Sequence, residues 1–207
     1  MSKSTSMLAS GLAVAVIAAG IAAAQGIPGL AQPTPPPATG APVQINVEML
    51  NNAAKGYQIG YPAGWQVIAG SDAVDYAFLS PDQNAVCIVV SIVSPDLANV
   101  SNEVLKQAMS VPQGEEFWTQ NFFNQVQNVK YQHVGATTQA PGGWPLQTVI
   151  ATADIASEGA TTNFAFAGIF TVKSSTIFRT ICYVPTTMYE QTKPLFFAVF
   201  DSFKITK

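Results

Sequence analysis

"AVCIVVSIV", residues 85–93, is the stretch on which the fold turns. Side chains alternate between the two faces of a strand, so Val86, Ile88, Val90 and Ile92 share one face while Ala85, Cys87, Val89 and Val93 share the other. Both sets are apolar and rich in β-branched residues, which predicts a central strand covered on both sides. Just upstream, a strand through Tyr76 and Phe78 runs into the turn formers of "SPDQN", residues 80–84.

Further out, "KGYQIGYPAGWQVI", residues 55–68, alternates apolar and polar residues on either side of "PAG". Tyr57, Ile59 and Tyr61 would face one way, and Trp65 and Val67 would share a face after the turn. The segment is expected to be a short hairpin or a strand with a bend. Downstream of the central strand the period lengthens: Val100, Val104, Leu105, Ala108 and Met109 fall on one helical face, with Asn99 or Ser101 as cap. "GEEFWTQNFFNQVQNV", residues 114–129, predicts a second helix, its first turn acidic and its buried stripe made of Phe117, Trp118, Phe122 and Val126.

Residues 129–184 then return to strands separated by short turns at "PGG", "SEGAT" and "KSS", which predicts an antiparallel meander. Residues 186–205 contain a closing helix that buries Phe196, Val199, Phe200 and Phe203. Thr187 and Glu190 have capping-box spacing, Pro194 should kink or restart the helix, and "FKI" should close as a short strand. The fold class is α+β, an antiparallel β-sheet flanked by helices in an α/β/α sandwich.

The N-terminal run from Met7 to Ala24 is uncharged, follows a single lysine, Lys3, and ends in small residues. It has the form of a secretory signal, residues 1–24, cleaved before Gln25. Residues 25–46 contain "QPTPPPATGAPVQ" and are expected to be a disordered Pro-rich linker; residues 47–207 form the domain. Localisation is therefore expected to be periplasmic or secreted, with no stable membrane anchor after cleavage. The full chain carries nine basic and twelve acidic residues. An acidic balance without a basic cluster argues against nucleic-acid binding, where lysine and arginine must neutralise phosphates.

Candidate chemistry is sparse. His133 stands alone, which removes the usual triads and most zinc sites, and it is read as a strand residue sharing a face with Val129 and Tyr131. Asp72 with Asp75, or Asp82 with Glu158, are better explained by solvated turns and strand ends than by acid/base work. No catalytic residue, cofactor or metal site is assigned. Cys87 and Cys182 both lie in strand patterns. A bridge between them would close a loop of about 95 residues, for which chain-entropy models give roughly 4–5 kcal/mol, and it requires a close, correctly oriented pair of Cα atoms. A disulfide and two buried free thiols both stay open. Tyr57, Tyr61, Trp65 and Trp144 are candidates for a partner or ligand surface, with Trp118 in the same aromatic set; Trp144 is favoured because "APGGWP" places it in a turn.

"GYQIGYPAGWQVI" resembles the first hairpin of PsbP-like domains, aromatic-x-aliphatic-x-(Tyr/Phe)-Pro-x-x-Trp, and "FFAVFDSFKI" resembles their closing helix and last strand. The resemblance implies a sheet flanked by helices, shared with the photosystem II extrinsic protein, small bacterial envelope proteins and a Ran-binding nuclear import factor. It implies action by binding and assembly, with no catalytic residue to carry over. The expected function is that of an exported, non-enzymatic, monomeric accessory protein that contacts an envelope protein. The alternative is a small apolar-ligand carrier with a pocket between sheet and helices.

Overall fold

The computed structural model describes residues 45–71, 73–138, 143–157 and 160–207. The expected signal segment and most of the linker, like Asp72 and Glu158, lie outside the described residues. In chain order the elements are β1 (Val47–Asn52), β2 (Tyr57–Pro62), β3 (Gln66–Ala69), β4 (Tyr76–Leu79) and β5 (Val86–Val93). Helices α1 (Asn102–Met109) and α2 (Glu115–Asn121) follow, then β6 (Gln127–Thr138), β7 (Pro145–Ser157), β8 (Ala160–Lys173) and β9 (Thr176–Pro185). Helix α3 (Tyr189–Ser202) and β10 (Lys204–Ile205) close the chain.

All pairings are antiparallel, in a seven-stranded sheet ordered β3-β4-β5-β9-β8-β7-β6 and a three-stranded sheet ordered β1-β2-β10. The architecture is α+β, with the large sheet between two layers. On one side α1 and α2 cover Val86, Ile88, Val90, Phe166 and Phe170. On the other, α3 and the small sheet cover Cys87, Val89, Ala167, Phe178 and Cys182. Strand β5 is thus buried on both faces from Val86 to Val90, as its composition requires, whereas Val93, expected on a covered face, is 69% exposed at the strand's end; the four strands β6 to β9 form the expected meander.

Several expectations shift. "PAG" makes neither a hairpin nor a bend within one strand. Strand β2 pairs with β1 and β10, whereas β3 pairs with β4, so Pro62–Trp65 is a corner at which the chain leaves the small sheet for the large one. Gly64, at φ +84°, supplies the left-handed residue this corner needs. Strand β1 escaped the reading because "VEMLNN" has no clean alternation; its partner β2 supplies the order.

Helix α1 starts at an N-cap on Ser101, whose hydroxyl accepts from the Val104 amide at 3.4 Å. Val104, assigned to its apolar face, is instead 56% exposed, and Leu105 and Met109 carry the burial. Helix α2 stops at Asn121, well short of residue 129. There the Arg179 Nη1 donates to the Asn121 carbonyl at 3.2 Å, and the chain turns so that Phe123 packs on Phe166 and Tyr131. Continued helix would carry Phe123 off the sheet. Helix α3 has Met188 at its N-cap, with no side-chain capping bond, after a 3-10 turn at Thr186–Met188, so Thr187 and Glu190 form no capping box. It continues through Pro194 with no restart; a proline there forgoes only one intrahelical donor, and tertiary packing of Phe196, Val199 and Phe200 holds the remainder.

Candidate functional site

Seven strands spaced at about 4.8 Å span roughly 29 Å between their outer axes. The small sheet lies over the β4, β5 and β9 part of the large one, with Tyr61 stacked on Phe78 at 5.2 Å and Tyr57 against Phe178 at 5.9 Å. Helix α3, about 10 Å wide, packs beside it on β2, β9 and β8. These two together cannot reach β6. The described residues therefore leave the sheet beyond α3 open, and a groove of about 710 Å³ runs between the helix and strands β6, β7 and β8.

The groove has an apolar floor and a mixed rim. Leu146, Ile150, Ala167 and Ile169 rise from the strands, and Phe197 and Phe200 form the helical wall. Phe200 is buried, whereas Phe197 is 38% exposed and meets it edge to face at 6.1 Å. Lys193 and Asp201 stand on the rim one turn before and one turn after Phe197. The Lys193 ammonium lies 5.7 Å over the Tyr189 ring.

His133 also lines the groove. A register shift between Tyr131 and His133 opposes Tyr131 to Ala151 but His133 to Ile150. This bulge puts the two residues on opposite faces, where uninterrupted alternation would have kept them together. His133 Nε2 is 3.1 Å from the Thr148 hydroxyl. Among the described residues no carboxylate orients the other ring nitrogen, the third member a hydroxyl needs to act as a nucleophile.

The two cysteines form a disulfide, directly opposed across β5 and β9 with Cα atoms 4.0 Å apart. The aromatic candidates divide. Tyr57 is fully buried and Trp65 is 8% exposed, so both belong to the core and neither forms a surface. Tyr61 is half-buried; its hydroxyl donates to Glu48 at 2.6 Å, which pushes its pKa up. Trp144 is half-buried, donating from Nε1 to the Val172 carbonyl at 2.9 Å. None of these four lines the groove.

Asp75, expected in a solvated turn, is instead buried. It accepts from the Lys55 ammonium, from Tyr57 Oη at 2.8 Å and from Ser91 Oγ at 2.7 Å. Burial first, and the neighbouring Asp75 second, push the Tyr57 phenol far above its usual range, so it stays a donor. The network joins the small sheet to β5. Asp82, by contrast, does sit in a turn. Burial raises its carboxyl pKa, but hydrogen bonds from Ser80 and Asn84 outweigh this and hold it below the ordinary value. Among the described residues no group of three His, Cys, Asp or Glu side chains is placed to hold a metal ion.

No protein-family model and no curated protein matches the chain. Solved structures do. The solution structure of cyanobacterial PsbP (CyanoP) from Synechocystis sp. PCC 6803 superposes with a TM-score of 0.56 at 14% identity, over 82% of this chain and 98% of that one. The Ran-binding protein Mog1p of Saccharomyces cerevisiae gives a TM-score of 0.50 at 9% identity, over 79% and 97%. LpqN of Mycobacterium tuberculosis, described as involved in cell envelope biogenesis, gives 0.45 at 9% identity, over 79% and 92%. At these identities the likeness is one of fold.

Proposed function

For a chain with the PsbP-like fold, we propose a role as an exported accessory protein of the bacterial envelope, acting through contact with another protein and without catalysis. The observation that carries this reading is the groove beside α3, with Phe197 exposed on its wall and charges of both signs on its rim. An apolar side chain in a concavity ringed by polar groups is the form of a hot spot for a protein partner. Export is supported by the Cys87–Cys182 disulfide, because such bonds persist in oxidising compartments. The signal-like run at residues 7–24 points the same way. Among the described residues no helix is long and apolar enough to cross a membrane.

A second reading, a carrier of a small apolar ligand, uses the same groove, whose volume lies within the range typical of small-molecule sites. Capture from envelope extracts separates the two. Wild-type protein is expected to retain a stoichiometric partner that Phe197→Glu releases. Absence of any partner, with a lipid or pigment found on the purified protein by native mass spectrometry, would replace the first reading by the second.

A further inference from the structure

A second concavity, of about 270 Å³, lies where the β1–β2 turn, the β8–β9 turn, the end of β5 and the residues after β10 converge. Three of the chain's nine basic residues, Lys55, Lys173 and Lys207, line it, although the chain as a whole is acidic. No acidic side chain is among its lining residues.

Each of the three ammonium groups has a contact within the protein. Lys55 is anchored on the buried Asp75. Lys207 Nζ donates to the Ala54 carbonyl at 3.2 Å, and Lys173 Nζ stands 5.4 Å over the Trp144 ring. Each ammonium has three donors, so each retains donors for a ligand. The Asp75 carboxylate neutralises one of the three charges, and neither Lys173 nor Lys207 forms a side-chain ion pair among the described residues.

The turn that carries Lys55 is shaped for this approach. Gly56 has φ +78°, and a Cβ there would lie 2.9 Å from the Lys207 stem. Only glycine both makes this turn and admits the lysine across it. The Thr176 hydroxyl, on the opposite wall, takes no protein partner among the described residues. Three lysines on one lining, a hydroxyl without a protein partner and a volume too small for a large ligand suit an oxyanion.

We propose that this cleft binds a small oxyanion, a phosphate or the phosphate of a monoester or lipid headgroup, between Lys55, Lys173 and Lys207. Titration of the purified full chain with inorganic phosphate, followed by calorimetry and amide NMR shifts, tests the free ligand. Flotation with phosphatidylcholine vesicles, with and without phosphatidic acid, tests the headgroup. Lys207→Ala is expected to weaken binding about tenfold, equivalent to about 1.4 kcal/mol, and the Lys173→Glu, Lys207→Glu pair to abolish it. Lys106→Ala, which alters a lysine on α1 outside the cleft, should leave it unchanged.

Phosphate binding that the pair abolishes supports the site with a soluble ligand. Binding only to vesicles containing phosphatidic acid, also lost in the pair, supports it with a headgroup. Binding to neither, or binding that Lys106→Ala weakens as much as Lys207→Ala does, overturns the proposal. Unchanged circular dichroism in the lysine variants separates lost binding from lost fold.

Discussion

At the level of single residues, the most consequential polar side chain is one that sequence reading passed over. Gln147 is fully buried in β7, and its amide donates to the Met109 carbonyl at 2.5 Å and the Val111 carbonyl at 2.9 Å, while its oxygen accepts from the Gln113 amide at 2.8 Å. One side chain thereby satisfies the backbone where α1 ends and the chain crosses to α2. Gln147→Leu keeps the bulk but takes from the Met109 carbonyl and the Gln113 amide the partner that Gln147 supplies, while the Val111 carbonyl keeps Gln113 Nε2 at 3.2 Å; the cost is about 1–3 kcal/mol for a buried group. Urea unfolding should show a loss of at least this size; an unchanged midpoint would mean that water replaces the amide. Asp154 offers a test by pH. Hydrogen bonds from Asn163 at 2.6 Å and Asn128 at 2.8 Å hold its carboxyl below the usual range. A lowered folded-state pKa gives stability that is present above the unfolded value, about 3.9, and lost as pH falls through the folded one. Asp154→Asn should flatten the acid limb of a stability profile and leave the neutral region little changed.

At the level of elements, close approach decides more than propensity does. Helix α3 lies so near β2 that the Gly60 amide donates to Ser202 Oγ at 2.6 Å, and a Cβ on Gly60 would come within 2.9 Å of that oxygen. Gly60→Val should cost about 1–3 kcal/mol by overpacking, read as a lower thermal midpoint with α3 amides exchanging faster. The β8–β9 turn offers the opposite effect. Ser174 and Ser175 sit at φ +48° and +61°, where L-residues carry about 1–2 kcal/mol of strain. The Asn102 side chain holds Ser174 there by accepting from its amide at 2.9 Å. Ser175→Gly should therefore stabilise the protein by up to about 1 kcal/mol, measured as a higher denaturation midpoint at constant m. The elements were legible wherever periodicity was strong and uninterrupted, as in β5, the β6 to β9 meander and the closing helix. What stayed hidden depends on long-range geometry. The corner at Pro62–Trp65 is visible only once β2 has found β1, and the bulge that brings His133 to the groove leaves no mark in composition. The groove itself exists because a helix and a small sheet are together narrower than seven strands. Aromatic content pointed to Tyr57 and Trp65, which the core consumes, while Phe197, which stands on the groove wall, was not among the candidates.

For the whole molecule, the decisive link is between the two halves of the chain. Strands β5 and β9 are neighbours at the middle of the large sheet but come from before and after the α1–α2 excursion, so their pairing must close a long loop. Cys87 and Cys182, fully buried, lock that pairing within the apolar layer beneath α3 and the small sheet. Constraint of the unfolded chain over this separation is worth roughly 4–5 kcal/mol in the entropy model, a large part of the 5–15 kcal/mol that holds a typical domain together. The variant Cys87→Ala, Cys182→Ala, made as a pair so that no thiol is left unpaired, should unfold at markedly lower denaturant with a similar m. Because neither sulfur is accessible, thiolate attack requires the sheet to open first. Reduction of the native protein should therefore follow the rate of unfolding, rising with denaturant and not with reductant once opening limits it. Fast reduction in buffer alone, with the circular dichroism intact, would show that β5 and β9 separate locally and that the centre of the sheet is not the stable heart of the fold.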